Sequence, residues 1–324
     1  LVIAIVVSAL AFNVIAGFND GGNLLASAAS SRTIPVSIAF VIIILCAFAG
    51  PLVFGTAVAA TLGAGIADYS QVGLPFLLAA VAASLVVVFV ANRIGFPTSM
   101  SLALVSAMVG SLVAGAGPQT VHWSGVIKVV ASAFGSAGVG FLMGAAVYGL
   151  LHLLLRPVSR RAGDRIMQLQ YGTVALQALG YGANDAEKMM GFMAAAVSVH
   201  ASGQPFTVPL WAIAAAIAAF AAGMVLGGLR VAKTIGGKLF TIRPEHALAF
   251  QAAAGITVIG ASLAGAPLST TETTASAIIG TGAAARPRRV HWQVVGRLVS
   301  AWFITMPAAL AAGAIAGVVL RLIH

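Results

Sequence analysis

Two Asn-Asp pairs stand inside segments that are otherwise almost wholly apolar. Asn19-Asp20 lies within Gly17-Phe18-Asn19-Asp20-Gly21-Gly22-Asn23, and Asn184-Asp185 within Tyr181-Gly182-Ala183-Asn184-Asp185-Ala186-Glu187-Lys188. A carboxylate near a bilayer centre costs about 2.5–3.5 kcal/mol on insertion scales, so each aspartate must face a cavity or a partner. Asn-Asp followed by Gly-Gly or Ala suits a helix break, which would bring carboxamide, carboxylate and backbone oxygens together. Such hard oxygen donors fit Na⁺ or a proton and not a soft transition metal. Asn23 adds an oxygen in the first motif only. Gln170 and Gln251, each in an apolar stretch, are candidates to complete the shell.

A second pair of motifs offers the opposite chemistry. Pro97 precedes Thr98, Ser99 and Ser101, and Pro267 precedes Ser269, Thr270 and Thr271. Proline favours a helix start and Ser/Thr favour its cap. A helix N-terminus presents free N–H groups and positive partial charge, which is an anion site. Two such ends facing each other would hold a tetrahedral oxyanion.

What must position these groups is a membrane protein. The 324 residues are 60% hydrophobic and 7% charged, with mean hydropathy +1.05, whereas a soluble domain carries roughly a quarter charged residues. Residues 34–54, 73–92, 129–155 and 206–229 are each long and apolar enough for a span of about 20 residues. The first segment lacks a basic n-region and a cleavage-like site, so a spanning helix is expected there and not a signal peptide.

Self-comparison gives the organisation. Asp185 follows Asp20 by 165 residues, Gly228–Gly236 parallels Gly55–Gly63 at an offset of 173, and Pro267 follows Pro97 by 170. Three motifs in one order at nearly one offset indicate duplication. The chain divides into a repeat over 1–155, a basic connector over 156–165 and a repeat over 166–324. Each half contains a helix broken at Asn-Asp, two long spans, a Pro-Ser/Thr segment too polar for an ordinary span, and a closing helix near 123–155 or 290–318. Matched polar interruptions in duplicated halves are the pattern of secondary transporters, with the site at the repeat interface.

The net charge of +10 is concentrated in loops: Arg156, Arg160, Arg161 and Arg165; Arg230, Lys233, Lys238 and Arg243; Arg286, Arg288, Arg289 and Arg297. The positive-inside rule puts 156–165 and 286–297 in the cytoplasm. No soluble domain carries these bases, which argues against nucleic acid as a partner. Of the seven acids, Asp20, Asp185, Glu187 and Glu272 fall in the repeated motifs. An ion pair with Lys188 or Arg165 is one account of Glu187. The single Cys46 supports neither a disulfide framework nor a metal cluster. Gly260-Ala261-Ser262 faintly resembles a nucleophile motif, but no base is placed for Ser262, so a packing role and no enzyme activity are expected.

At these residues the chain resembles the inorganic phosphate transporter (PiT) family of sodium- or proton-coupled permeases. GFNDGGN at 17–23 is similar to the family's GFNDxAN, and GANDAEKMMG at 182–191 to its second Asn-Asp signature. GGLRVAKTIGGKL at 227–239 and PLSTTE at 267–272 also have counterparts. The resemblance implies an all-α polytopic fold of two inverted-topology repeats with broken helices and re-entrant Ser/Thr hairpins. It implies symport of inorganic phosphate with Na⁺ or H⁺ by alternating access in the cell membrane, surrounded by lipid and without a cofactor, with a homodimer allowed. The cation ligands would be Asn19, Asp20, Asn184, Asp185 and Gln170, and the phosphate ligands Ser99, Ser101, Ser269, Thr270 and Thr271. The chain departs from the family at Leu102 and Glu272, where His is usual, and at Glu187, Gln251 and Tyr181. These departures keep sulfate open as the oxyanion. An anion channel is the rival of another class, and it would need no coupling carboxylates.

Overall fold

The computed structural model describes residues 1–30, 33–94, 98–156, 168–200, 206–235 and 242–323. Pro157, Arg160, Arg161, Gly163, Asp164 and Arg165 of the basic connector lie outside these, as do Gly95, Pro97, Gly236 and Lys238. Every regular element among the described residues is helical. The first half comprises α1 (Val2–Ala16), a π-helical turn (Gly17–Gly21), α2 (Gly22–Ser30), α3 (Val36–Phe54), α4 (Ala57–Gly63), α5 (Tyr69–Val72), α6 (Leu74–Arg93), α7 (Met100–Gly115) and α8 (Trp123–Leu155). The second comprises α9 (Gln170–Tyr181), a π turn (Gly182–Ala186), α10 (Glu187–His200), α11 (Leu210–Ile235), α12 (Pro244–Leu263), α13 (Thr270–Ala285) and α14 (Trp292–Ile323).

Seven helices are long and apolar enough to cross a membrane, counted among the described residues. Their outward faces carry bare aliphatic side chains such as Ile3, Leu45, Leu142, Leu226 and Leu322. Helix α8 has 33 residues, about 50 Å at 1.5 Å per residue, longer than a hydrocarbon core of about 30 Å. It therefore tilts or projects. The segment 57–63 is a separate short helix after Gly55 (φ +82°), whereas its counterpart continues α11 as far as Ile235.

In lipid no hydrophobic force draws helices together, so close backbone approach through small residues does most of that work. These approaches occur at matched positions of the two Asn-Asp motifs. A Cβ on Gly182 would stand 2.0 Å from the Ala47 carbonyl oxygen, and one on Gly50 2.4 Å from that of Leu179. Their counterparts repeat the crossing: a Cβ on Gly17 would stand 1.8 Å from the Phe220 oxygen, and one on Gly223 1.9 Å from that of Val14. Thus α3 packs on the π turn of the second half and α11 on that of the first.

The hairpin helices are exchanged in the same way. Gly313 and Gly317 of α14 seat on Ala107 and Ser111 of α7, while Gly140 and Gly144 of α8 seat on Thr273 and Ala277 of α13. Both registers advance in the same sense, so α7 runs parallel to α14 and α13 parallel to α8. The two halves are interleaved, not side by side.

Gly182→Ala should destabilise the folded protein by about 1–3 kcal/mol through overpacking. Gly260→Ala, whose Cβ would meet nothing within 4 Å, should be neutral or stabilising by up to about 1 kcal/mol from helix propensity. Melting temperatures of the purified protein in detergent separate the two. Equal behaviour would remove the crossing from the account of stability.

Candidate cation and oxyanion site

Both Asn-Asp pairs fall on the five-residue π turns, Gly17–Gly21 and Gly182–Ala186. A π turn widens the helix by one residue and is frequent at functional sites. The expected breaks therefore take a milder form. The chain stays helical through the first turn (Gly17 φ −60°, ψ −39°; Gly22 φ −63°, ψ −40°). Asp185 stands at the middle of the continuous stretch from Gln170 to His200.

The second Ser/Thr motif meets both turns. Ser269 caps α13, its Oγ accepting from the Glu272 N–H at 3.4 Å. The next two hydroxyls diverge. Thr270 Oγ1 donates to Asp185 Oδ2 at 2.5 Å, and Thr271 Oγ1 donates to Asp20 Oδ1. Asn23 Nδ2 in turn donates to Thr271 Oγ1 at 3.2 Å. Adjacent residues of one helix start thus join the two aspartates of the duplicated motifs. The N–H groups of the first turn of α13 lack intrahelical acceptors, as at every helix N-terminus.

The turn leading into α13 is held by side chains from several elements. Thr61 Oγ1 donates to the Gly265 carbonyl at 2.7 Å, and Ser132 Oγ to that of Pro267 at 2.6 Å. Asn184 grips the chain twice, donating to the Ala266 carbonyl at 3.2 Å and accepting from the Leu268 N–H at 3.2 Å. The Leu268 carbonyl accepts from Ser101 Oγ at 2.7 Å and from Lys188 Nζ at 2.9 Å. Gly265 has φ +58°, in the left-handed region that favours glycine. Ser101 brings the first Ser/Thr motif to the same place, and Ser99 caps α7 by accepting from Leu102 N–H at 3.4 Å. Thr98 is half-buried just ahead of it.

Charge is distributed unevenly. Asp185 Oδ1 pairs with Lys188 Nζ at 2.6 Å, with both side chains almost wholly buried. Asp20 is 4% exposed, beside half-buried Asn19, Asn23 and Thr271. Glu187 pairs with neither Lys188 nor any arginine among the described residues. Its Oε2 accepts from the Val58 and Ala59 N–H groups at 3.1 and 3.3 Å, capping α4. Glu272 is fully buried beside the Ser99 and Ser269 hydroxyls, and neither carboxyl oxygen makes a well-formed hydrogen bond.

The two expected glutamines do not join this site. Gln170 lies fifteen residues before Asp185, about 22 Å along the helix, and its Nε2 donates to the Pro244 carbonyl at 2.6 Å. Gln251 accepts from Thr173, also well below the π turn. Gln177, eight residues before Asp185, lies closer to it along the helix and is fully buried. Its Nε2 donates to Thr274 Oγ1 at 3.1 Å, and its Oε1 accepts from Ser27 at 3.2 Å. Tyr181 also reaches Thr274 Oγ1, at 2.8 Å. The spacing 177, 181, 184–185 puts Gln177 on the face of the Asn-Asp pair, a helical periodicity that would have found it. Lys188, read from the sequence as a partner for Glu187, pairs with Asp185. Ser262 donates to Val258 of its own helix and accepts from Asn184, so it is a packing residue.

The sequence pattern described as the phosphate transporter family matches twice, over residues 16–168 and 157–313. A probable low-affinity inorganic phosphate transporter of Rhizobium meliloti (strain 1021) is 34% identical over 311 residues, covering 95% of this chain and 93% of that one. A protein of the same description from Bacillus subtilis (strain 168) is 32% identical over 333 residues, covering 100% and 98%. The solved structure titled "The sodium-dependent phosphate transporter" superposes with a TM-score of 0.88, covering 100% of this chain and 99% of that one. At 23% identity this is a likeness of fold.

Asn184→Ala should cost about 1–3 kcal/mol for each backbone group it strands at the turn. Thr257→Val removes only a bond to Ala253 of its own helix and should stay within about 0.5 kcal/mol. Thermal unfolding in detergent measures both, and a neutral Asn184→Ala would show that the turn does not need the clamp.

Proposed function

The chain belongs to the phosphate transporter family, and from that premise we propose that it carries inorganic phosphate across a membrane together with Na⁺ or H⁺ by alternating access. The observation that carries this reading is the joining of Asp20 and Asp185 to adjacent hydroxyls, Thr271 and Thr270, at one helix N-terminus. Groups that attract a cation and groups that attract an oxyanion then share one chamber. Ser99, Ser101, Ser269, Thr270 and Thr271 are the proposed phosphate donors, with the free N–H groups of the α7 and α13 starts. Asn19, Asp20 and Asn23 form the proposed entry point of the coupling cation, with Asn184 and Asp185 facing them across the interface.

Electrostatics makes the coupling obligatory on this reading. Phosphate approaching a bare carboxylate at about 4 Å is opposed by about 4 kcal/mol per unit charge pair at an effective dielectric near 20. A cation at Asp20 removes that repulsion and draws the carboxylate away from Thr271, whose hydroxyl can then turn to the substrate. The parallel registers of α7 with α14 and of α13 with α8 support oppositely oriented halves, and such halves rock about a fixed site. The arginines near 156–165 and 286–297 support a cytoplasmic placement of those loops.

The test is uptake of radiolabelled phosphate, and separately sulfate, into proteoliposomes under an imposed Na⁺ or pH gradient. Phosphate should accumulate against its gradient with one of the two drivers. Asp20→Asn, while still folded, should lose driven accumulation by at least about tenfold, the equivalent of about 1.4 kcal/mol. Wild-type accumulation in that variant would overturn the coupling role of Asp20. Flux that only runs downhill, whatever gradient is imposed, would favour a channel, and accumulation of sulfate in preference would change the substrate.

A further inference from the structure

The duplicated motifs differ at the residue three places beyond each aspartate. In the first half it is Asn23, and in the second Lys188. The consequences are unlike. Lys188 Nζ lies 2.6 Å from Asp185 Oδ1 and 2.9 Å from the Leu268 carbonyl oxygen, and the residue is 3% exposed. Asn23 gives its amide N–H to Thr271 and leaves its own Oδ1 buried without a hydrogen-bond partner. Asp20 receives the Thr271 hydroxyl, and no basic side chain among the described residues comes within 4 Å of it. One carboxylate is therefore already paired with a cation, and the other has uncommitted oxygens beside it.

We propose that Lys188 is a tethered cation occupying in the second half the position that a travelling cation takes in the first, so that the two Asn-Asp turns have separate duties. Asp20 and the Asn23 Oδ1 bind the transported ion, which leaves the Thr271 hydroxyl to the oxyanion. Asp185 is compensated permanently by the Lys188 ammonium, and the pair holds the turn at Leu268 in place. The ammonium also adds a fixed positive charge next to the α13 N-terminus, where the oxyanion is to bind. The charged side chains grouped here are Asp20, Asp185, Glu272 and Lys188. With one ammonium built in, one fewer mobile cation is needed per oxyanion. This inference rests on the cation-coupled reading given above and refines it to the number of ions moved.

Lys188→Asn recreates the Asp-x-x-Asn pattern of the first half and leaves Asp185 bare. A bare buried carboxylate must recruit a counter-charge. The full chain in proteoliposomes is assayed for phosphate uptake against the concentration of whichever cation drives the wild type, with net charge moved per phosphate read from the reversal potential. Lys188→Asn should require one more cation per phosphate and show a steeper cation dependence, whereas Lys188→Arg should keep the wild-type order. The double variant Asp185→Asn/Lys188→Asn removes both charges and keeps the test available should the single variant not fold. Its cation order should equal that of the wild type. An order lower by one in the double variant would mean that Asp185 binds a travelling ion, and this would overturn the proposal. An unchanged order in folded Lys188→Asn would overturn it as well. A wild type whose uptake ignores every cation would instead overturn the underlying reading of coupled transport, and this inference with it.

Discussion

Between Leu263 and Thr270 the backbone leaves its helix beside Asn184 of the second π turn, and the buried part of it, Gly265 and Pro267 to Thr270, has no helical ladder for its carbonyl groups to bond to. Backbone at membrane depth that is not helical survives only when protein or a water-filled cavity satisfies it. Here the carbonyls of Gly265, Ala266, Pro267 and Leu268 are met by Thr61, Asn184, Ser132, and Ser101 with Lys188. Those side chains come from α4, the second π turn, α8, α7 and α10. The hairpin tip is thus a hub, and the elements that satisfy it must converge on one point. The same convergence carries Thr270 and Thr271 to the two aspartates.

Close approach of backbones makes this convergence achievable. Gly17, Gly50, Gly182 and Gly223 let α11 and α3 cross the two π turns with no intervening side chain. Because each crossing joins elements of different halves, a shift of one half against the other moves the surroundings of both aspartates. The packing is tight at the crossings, while the Asp20 side keeps half-buried Asn19, Asn23 and Thr271.

The duplicated motifs, the apolar spans and the meeting of Asn-Asp with Ser/Thr were legible in the sequence because each rests on identity and spacing along one chain. What was not legible depends on the phase and length of helices. Gln170 and Gln251 are amides in apolar runs, yet the rise of an α-helix sets them far from Asp185, whereas Gln177 shares a helix face with the Asn-Asp pair. A Gly-flanked Asn-Asp pair reads as a break, but the extra residue of a π turn lets the helix continue. Glu187 and Lys188 are neighbours in sequence that point to opposite tasks, one capping α4 and the other pairing with Asp185. Only the approach of α4 from the first half decides that division. The family match over both halves adds the substrate class, which the oxygens alone do not specify.

The inequality of the two halves follows from a limit on duplicated ionic sites. Two identical aspartate turns facing one chamber would place two carboxylates of like charge beside each other, with Glu272 as a third. Each added charge in a medium of low dielectric raises the cost of ionising the rest. Replacing the first half's Asn23 by a lysine at the equivalent place, Lys188, relieves one of these repulsions without an external ion. It also spends a positive charge on holding a backbone turn, a task that Asn184 shares. The turn that this pair anchors is the one from which Thr270 and Thr271 project, so a fixed charge in one half sets the position of the hydroxyl that faces Asp20 in the other. The two motifs are thus alike in their Asn-Asp pair and unlike at Asn23 and Lys188, where one aspartate has an ammonium partner and the other a buried amide oxygen without one.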